Sequence, residues 1–212
     1  MASYKIKKIC VMIGSRANYS SIKSFLILCK RSRNFKLQIV LFSSAILHRF
    51  GDLSKILKKD GLKVNFKINT HIEGENLNTM VKSTGLGLMH IPEILEILKP
   101  NMVLTVGDRY ETLATTISSS FMNIPLIHTM GGEITGTIDE KIRHATTKFA
   151  DIHFPASSDA KKRLIRLGEN PKKIFNVGCP RIDLVKNVLS KKTNLNSINS
   201  YLVKNGVGDK ID

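Results

Sequence analysis

Residues 6–29 read IKKICVMI-GSRANYS-SIKSFLILC: an apolar run, a small polar turn, then a segment in which Ile22, Phe25, Leu26 and Cys29 recur at three- and four-residue spacing. The run has the continuous hydrophobicity of a strand buried on both faces, and the spacing is that of a helix burying one stripe. Outward from this unit the alternation repeats. Apolar runs at Leu37–Phe42, Lys63–Ile68, Met102–Val106, Pro125–Thr129, Ile152–Phe154 and Ile174–Val177 join Ile6–Ile13 as predicted strands, with helical stretches between them. Repeated βα units of this kind predict an α/β fold around a parallel sheet. Residues 76–98 read as helical at both ends, with Ile91, Ile94, Leu95 and Leu98 on one stripe. Pro92 is expected to start the second part and Pro100 to end it.

A chain of 212 residues with 42% hydrophobic content can bury a proper core, as one large domain or one domain plus a fragment of another. Aromatic residues make up 6% and Trp is absent, so the core is expected to be Ile, Leu and Val. The net charge of +16 raises the question of nucleic acid, but its distribution argues against that. Residues 1–70 hold 15 Lys/Arg against 2 Asp/Glu, whereas residues 71–160 hold 6 against 11. The cations are mostly Lys, form no run of five or six, and have few aromatics between them. The expectation is a solvated basic surface and no nucleic-acid partner, with part of the positive field available to an anionic substrate.

Cys10, Cys29 and Cys179 lack CxxC spacing, and their odd count gives no disulfide framework, which fits a reducing compartment. The apolar run Ile9–Ile13 is too short for a signal-peptide core or a membrane span. A soluble, cytoplasmic chain with no membrane partner is therefore expected. Residues 188–212, VLSKKTNLNSINSYLVKNGVGDKID, are rich in Lys, Asn and Ser with weak periodicity. The expected organisation is a domain over residues 1–185 and, over 186–212, a tail or the start of a truncated second domain, with one helix near Leu195–Lys204.

In an open parallel sheet, ligands gather at the carboxyl ends of the strands. Three polar clusters fall at such ends. Gly14–Ser20 follows the first strand: its glycine permits a tight turn, Arg16 can pair with a phosphate, and Asn18 or Ser20 can cap the helix. The same composition is also ordinary punctuation between strand and helix, and it is not the dinucleotide fingerprint, since the second and third glycines are missing. Gly107–Glu111 follows Met102–Val106. Asp108 and Arg109 at the tip of a buried strand are costly unless they meet solvent, a ligand or one another. Alternatively, Asp108 caps the next helix and Arg109 lies on the surface. His128–His144 opens at a strand end, crosses a loop with Gly131, Gly132 and Gly136 around Glu133, and enters a helix near Asp139. Three glycines beside a carboxylate point to backbone approaching a ligand. Asp139 and Arg143 share a helix face, as do Glu140 and His144, and two helix-stabilising pairs beside a flexible loop explain the same pattern. Glu140 and His144 lack further convincing ligands, so no metal site is expected.

Four stretches carry a specific resemblance: GSRANYS (14–20), GDRYE (107–111), HTMGGEITGTIDEKIRHA (128–145) and VGCPRID (177–183). In this order, covering about residues 8–185, they resemble the successive signatures of hydrolysing UDP-N-acetylglucosamine 2-epimerases of the sialic-acid and legionaminic-acid pathways. The resemblance implies the N-terminal half of a glycosyltransferase-B-like fold, whose active site lies in the cleft between two Rossmann-like halves. It implies a UDP-linked 2-acetamido sugar as substrate, release of UDP, inversion at C2, and no cofactor. By motif, Asp108 and Asp139 match carboxylates of acid/base work, and Glu133 is carried over with them as a third catalytic carboxylate. Arg16, Ser20 and Arg109 match contacts to the diphosphate or sugar, and His128, Arg143 and His144 are expected to join them as substrate-binding residues. Some members have a carboxylate where Met130 stands, so either Glu133 or another group replaces it or the set is incomplete. The resemblance places the uridine pocket in a second half that should begin soon after Asp183. Little turnover is expected from this chain alone, unless a separate C-terminal half supplies what is missing; the resemblance also suggests self-association through this domain. Glycosyl transfer on the same architecture and a non-catalytic nucleotide-sugar-binding module are the competing functional readings.

Overall fold

A computed structural model describes residues 6–74 and 76–189, the side chains of residues 187 and 188 excepted. Its elements run β1 (Lys7–Ile13), α1 (Arg16–Arg31), β2 (Phe35–Phe42), α2 (Leu53–Lys59), β3 (Phe66–Ile68), α3 (Leu77–Leu98), β4 (Met102–Val106), α4 (Tyr110–Phe121), β5 (Leu126–Thr129), α5 (Ile138–Phe149), β6 (Ile152–Phe154), α6 (Ser158–Arg166) and α7 (Pro180–Leu189). The six strands form one parallel sheet in the order β3-β2-β1-β4-β5-β6. This is the Rossmann-like α/β arrangement expected from the sequence. The chain divides into two units, Met1–Arg181 and Ile182–Asp212. The first holds the sheet and α1–α6; of the second, only the continuation of α7 is described. The helix expected near Leu195–Lys204 lies outside the described residues.

Alternation along the strands makes the two faces. Ile9, Val11, Ile13, Ile39, Leu41 and Leu104 pack with Ile22 and Leu26 of α1 and Leu53 and Leu57 of α2. Cys10, Met12, Val40, Phe42 and Val103 pack on the other face with Ile91, Leu95 and Leu98 of α3 and Ala114 of α4. Both cores are Ile-, Leu- and Val-rich, as the composition requires. Within the α1 stripe, Ile22, Leu26 and Cys29 are buried and Phe25 is half-buried.

Three expectations need correction. Pro92 does not divide the 76–98 segment: α3 is one helix, capped at its start by a reciprocal Asn76/Thr79 pair. A mid-helix proline removes one backbone bond at a cost of about 3 kcal/mol. Here Ile91, Leu95 and Leu98, buried on the same core, hold the segment across that break. The seventh strand, Ile174–Val177, reduces to an isolated bridge between His153 and Ile174. Ile174 is buried but Phe175, Asn176 and Val177 are exposed, and a ladder has nothing to bury beyond the first residue. The third strand is also shorter than predicted. Asn65 takes the Ile39 N–H on its side-chain oxygen at 2.9 Å, so regular pairing begins only at Phe66.

Candidate functional site

Strand order decides where a ligand can sit. β1 and β4 are neighbours, and from them the chain proceeds to opposite edges of the sheet, so the loops at their carboxyl ends part around a crevice. Those loops are Gly14–Ser15 and Gly107–Arg109. Asn18 ties them together: its amide donates to the Val106 carbonyl at 3.3 Å and its side-chain oxygen accepts from the Gly14 N–H at 3.2 Å. The cap of α1 is Ser15, which accepts from the Asn18 N–H at 3.1 Å, and not Asn18 or Ser20. Ser20 is exposed and turns its hydroxyl back to the Ala17 carbonyl at 2.9 Å.

A recess of about 710 Å³ opens at this end of the sheet, walled by Ser15, Arg16, Arg49, His71, Arg109 and Tyr110 among others. The Arg16 guanidinium donates to the Phe50 carbonyl across it. Arg109 Nε donates to Glu111 Oε1 at 2.7 Å, while 44% of the Arg109 side chain stays exposed. Burial opposes the Arg109 charge, yet the adjacent Glu111 carboxylate carries its pKa above the ordinary arginine value. Burial dominates for Glu111 and raises its pKa above the usual glutamate range despite Arg109.

A second charged group lies at the ends of β4 and β5. Arg143, 2% exposed, ion-pairs through one terminal nitrogen with Asp108, which is 27% exposed. Its other terminal nitrogen donates to the Glu133 carbonyl at 2.6 Å. Asp108 therefore does not cap α4; the N-cap is Arg109, without a side-chain bond. The Asp139–Arg143 pair allowed by helical spacing gives way to this one. Asp139 takes no hydrogen bond or ion pair among the described residues, while its charge raises the pKa of both Arg109 and Glu111. Glu140 accepts from the Thr135 and Gly136 N–H groups at 2.9 and 2.7 Å, which holds its pKa down, and it faces His144 at 3.7 Å. The Glu133 carboxylate meets the Ser157 hydroxyl at 3.4 Å. No group of three metal-ligating side chains forms among the described residues, and no described helix is long and apolar enough to cross a membrane.

His128, expected among the substrate-binding residues, lies in the interior. It is 0% exposed, with Nε2 2.9 Å from the Gly107 carbonyl and Nδ1 3.3 Å from the Thr147 hydroxyl, and burial pushes its pKa down to about 4. With its nitrogens engaged in this way, the ring fastens β5 to the loop that carries Asp108. The glycines around Glu133 also serve the protein first. A Cβ on Gly131 would lie 3.0 Å from the His128 ring, and one on Gly132 would lie 2.4 Å from the Ala160 carbonyl oxygen. Only Gly136 has open space around it. Met130, at φ 64°, turns the chain out of β5 and packs against the core.

Sequence reasoning gave no role to Glu111, to Asn18 as a bridge between loops, or to Arg49, His71 and Tyr110 in the recess wall. An acidic residue in the first turn of a helix reads as a partner of the helix dipole. Nothing in sequence spacing shows that this one is buried against another strand's loop.

Comparison with known proteins bears on this arrangement. Residues 28–209 match the family model described as UDP-N-acetylglucosamine 2-epimerase. The chain is 34% identical over 189 residues to a Campylobacter jejuni protein named GDP/UDP-N,N'-diacetylbacillosamine 2-epimerase (hydrolyzing), covering 88% of this chain and 49% of that one. It is 35% identical over 178 residues to the Legionella pneumophila UDP-N,N'-diacetylbacillosamine 2-epimerase (hydrolyzing), covering 84% and 47%. The chain thus spans about half the length of the relatives it matches. Among solved structures, the Neisseria meningitidis UDP-GlcNAc 2-epimerase bound to UDP-GlcNAc superposes with a TM-score of 0.76 at 21% identity, over 90% of this chain and 51% of that one. At that identity the likeness concerns the fold: this sheet is one half of the glycosyltransferase-B-like architecture. With the family model spanning most of its length, the chain belongs to the UDP-N-acetylglucosamine 2-epimerase family.

Proposed function

We propose that this chain supplies the first half of the active site of a hydrolysing UDP-2-acetamido-sugar 2-epimerase, with UDP-N-acetylglucosamine or a UDP-diacetamido sugar as substrate. The supporting observation is the gathering of Asp108–Arg143, Asp139 and Arg109–Glu111 around the switch-point crevice. The reaction needs a base for a weakly acidic C2 proton and cations for a departing diphosphate. In the first step a carboxylate takes the C2 proton, the C1–O bond breaks with its electron pair leaving on UDP, and a C1–C2 alkene forms. In the second, water adds its oxygen to C1 and gives up a proton to a carboxylate while a carboxylic acid delivers a proton to the opposite face of C2, giving an N-acetylmannosamine-type sugar. Asp139, without an ion pair or hydrogen bond among the described residues, is the carboxylate assigned to the C2 proton; Asp108, kept in place by Arg143, is the second carboxylate. Arg16 and Arg109 line the recess and receive the diphosphate. Arg143 acts by holding Asp108 and the Glu133 backbone. Domain boundaries near residues 181–185 and a cytoplasmic setting belong to the same reading.

The test is UDP release from both substrates in deuterated water, by this chain alone and mixed with the C-terminal half of a relative. Deuterium at C2 of a mannosamine-type product, lost in Asp108→Asn with the fold retained, is the expected result. Sugar release unchanged in Asp108→Asn, or no release in either mixture, overturns the proposal.

A further inference from the structure

We infer that Glu111 is the positioning residue of the anion site: it grips Arg109 by Nε so that the two terminal guanidinium nitrogens are turned to the recess. The inference rests on the reading of that recess as the diphosphate site. Four observations carry it. Glu111 is 3% exposed, whereas a carboxylate placed only to complement the α4 dipole would be solvated. Its Oε1 meets Arg109 Nε at 2.7 Å, the one contact that leaves both ends of the guanidinium fork unused. Those ends take no hydrogen-bond partner among the described residues; the guanidinium lies 5.8 Å from the centroid of the Tyr110 ring, and both side chains line the recess. The carboxylate packs directly over Gly14, where a Cβ would lie 2.8 Å from Glu111 Cγ and 3.3 Å from Oε1, so the glycine after β1 leaves the space that this side chain of the first turn of α4 fills.

The second oxygen, Oε2, is buried without a hydrogen-bond partner among the described residues, so the carboxylate belongs to no closed structural network. Besides Arg109, the charge acting on Glu111 is that of Asp139 on α5. An ionised Glu111 balances Arg109, and the site then selects a ligand by the geometry of a bidentate anion more than by surplus positive charge.

The experiment uses the 212-residue chain, its Glu111→Ala and Glu111→Gln variants, and inorganic pyrophosphate and UDP as probes in calorimetry. Glutamine keeps an acceptor for Nε and discards the charge; alanine discards both. Glu111→Ala is expected to weaken both probes about tenfold, with Glu111→Gln within about twofold of the parent or tighter. Equal affinity of parent and Glu111→Ala overturns the inference, as does equal weakening in both variants. In parallel, the Arg109 Nε–H resonance, assigned by its loss in Arg109→Lys, should be protected from exchange in parent and Glu111→Gln and unprotected in Glu111→Ala. If the parent binds neither probe, the diphosphate reading of the recess fails, and this resonance alone decides whether Glu111 positions Arg109. Protection unchanged in Glu111→Ala would then overturn the positioning.

Discussion

The two halves of the sheet cover their helices differently. On the β1–β2 side, α1 and α2 bring Tyr19, Ile22, Leu26, Leu53 and Leu57 against aliphatic strands. On the β4–β5–β6 side, the buried residues of α4 and α5 include Thr112, Thr115, Thr116, Ser118, Ser119, Thr146 and Thr147, and the strands bury His128 and His153. Part of this layer is joined by hydrogen bonds: Thr116 to the Thr112 carbonyl at 2.9 Å, Thr116 to Thr146 at 3.4 Å, and Thr147 to His128 at 3.3 Å, while the buried hydroxyls of Thr115, Ser118 and Ser119 find no partner among the described residues. An apolar layer tolerates imprecise placement better than a polar one, in which a group without its partner pays the full desolvation penalty. The half that buries these polar groups, some of them unsatisfied, is also the one that carries Asp108, Arg143 and Asp139.

The contrast is broken most directly by removing its central charge. Arg143→Ala leaves Asp108 without a partner and the Glu133 carbonyl without its donor, and should lower unfolding stability by about 3–5 kcal/mol in urea titrations. Leu26→Ala on the apolar side should cost about 3 kcal/mol through cavity formation. It should leave the geometry of the charged group intact, visible as unchanged Arg109 and Arg143 side-chain resonances. Equal disturbance of those resonances in both variants would show that the halves do not respond independently.

Much of the apolar half was legible in sequence because burial there follows period: the α1 stripe and the strand runs announce themselves. The polar half was read less well for physical reasons. Thr and Ser in α4 look like a solvent face, and only tertiary packing makes them a core. His128 was visible as a strand-end histidine, but a ligand contact and an internal fastening require the same residue at the same place. The Gly131–Gly132 turn suffered likewise, since a close approach by α6 and one by a ligand both demand glycine. The strand order, which brings the first and fourth strand ends together, is long-range and leaves no local trace. The four motifs nevertheless identified the family, and Arg16 and Arg109 lie where a recess forms.

Gly132→Ala sharpens the point about the turn. At φ 82°, with a Cβ 2.4 Å from the Ala160 carbonyl oxygen, it should lose about 2–3 kcal/mol, against about 1 kcal/mol for Gly136→Ala at φ 70° in open space. A ligand-dictated turn would instead give equal stabilities and unequal UDP affinities.

The gentlest probe is acid. The folded chain keeps His128 unprotonated down to about 4, through burial, whereas an unfolded histidine takes its proton near 6.5. Between those values the unfolded state binds the extra proton, so stability falls as pH falls, by up to about 1.4 kcal/mol per pH unit, and this contribution levels off below about 4. His153, whose pKa is also lowered by burial, adds in the same direction. His128→Gln should give a shallower slope over that window; an unchanged slope would remove His128 as its source.

The cysteines, finally, make the molecule its own gauge of intactness. Cys10 and Cys29 are buried, their thiols pushed up to about 12 and about 11 by desolvation, while Cys179 is only half-buried. A colorimetric thiol reagent should count one fast sulfhydryl in the folded protein and three after denaturation. Any variant above can therefore be scored for opening of either face, Cys29 reporting on α1 and Cys10 on the core under α3 and α4, without attaching a foreign label, and a dye placed at Cys179 will sit on one defined position.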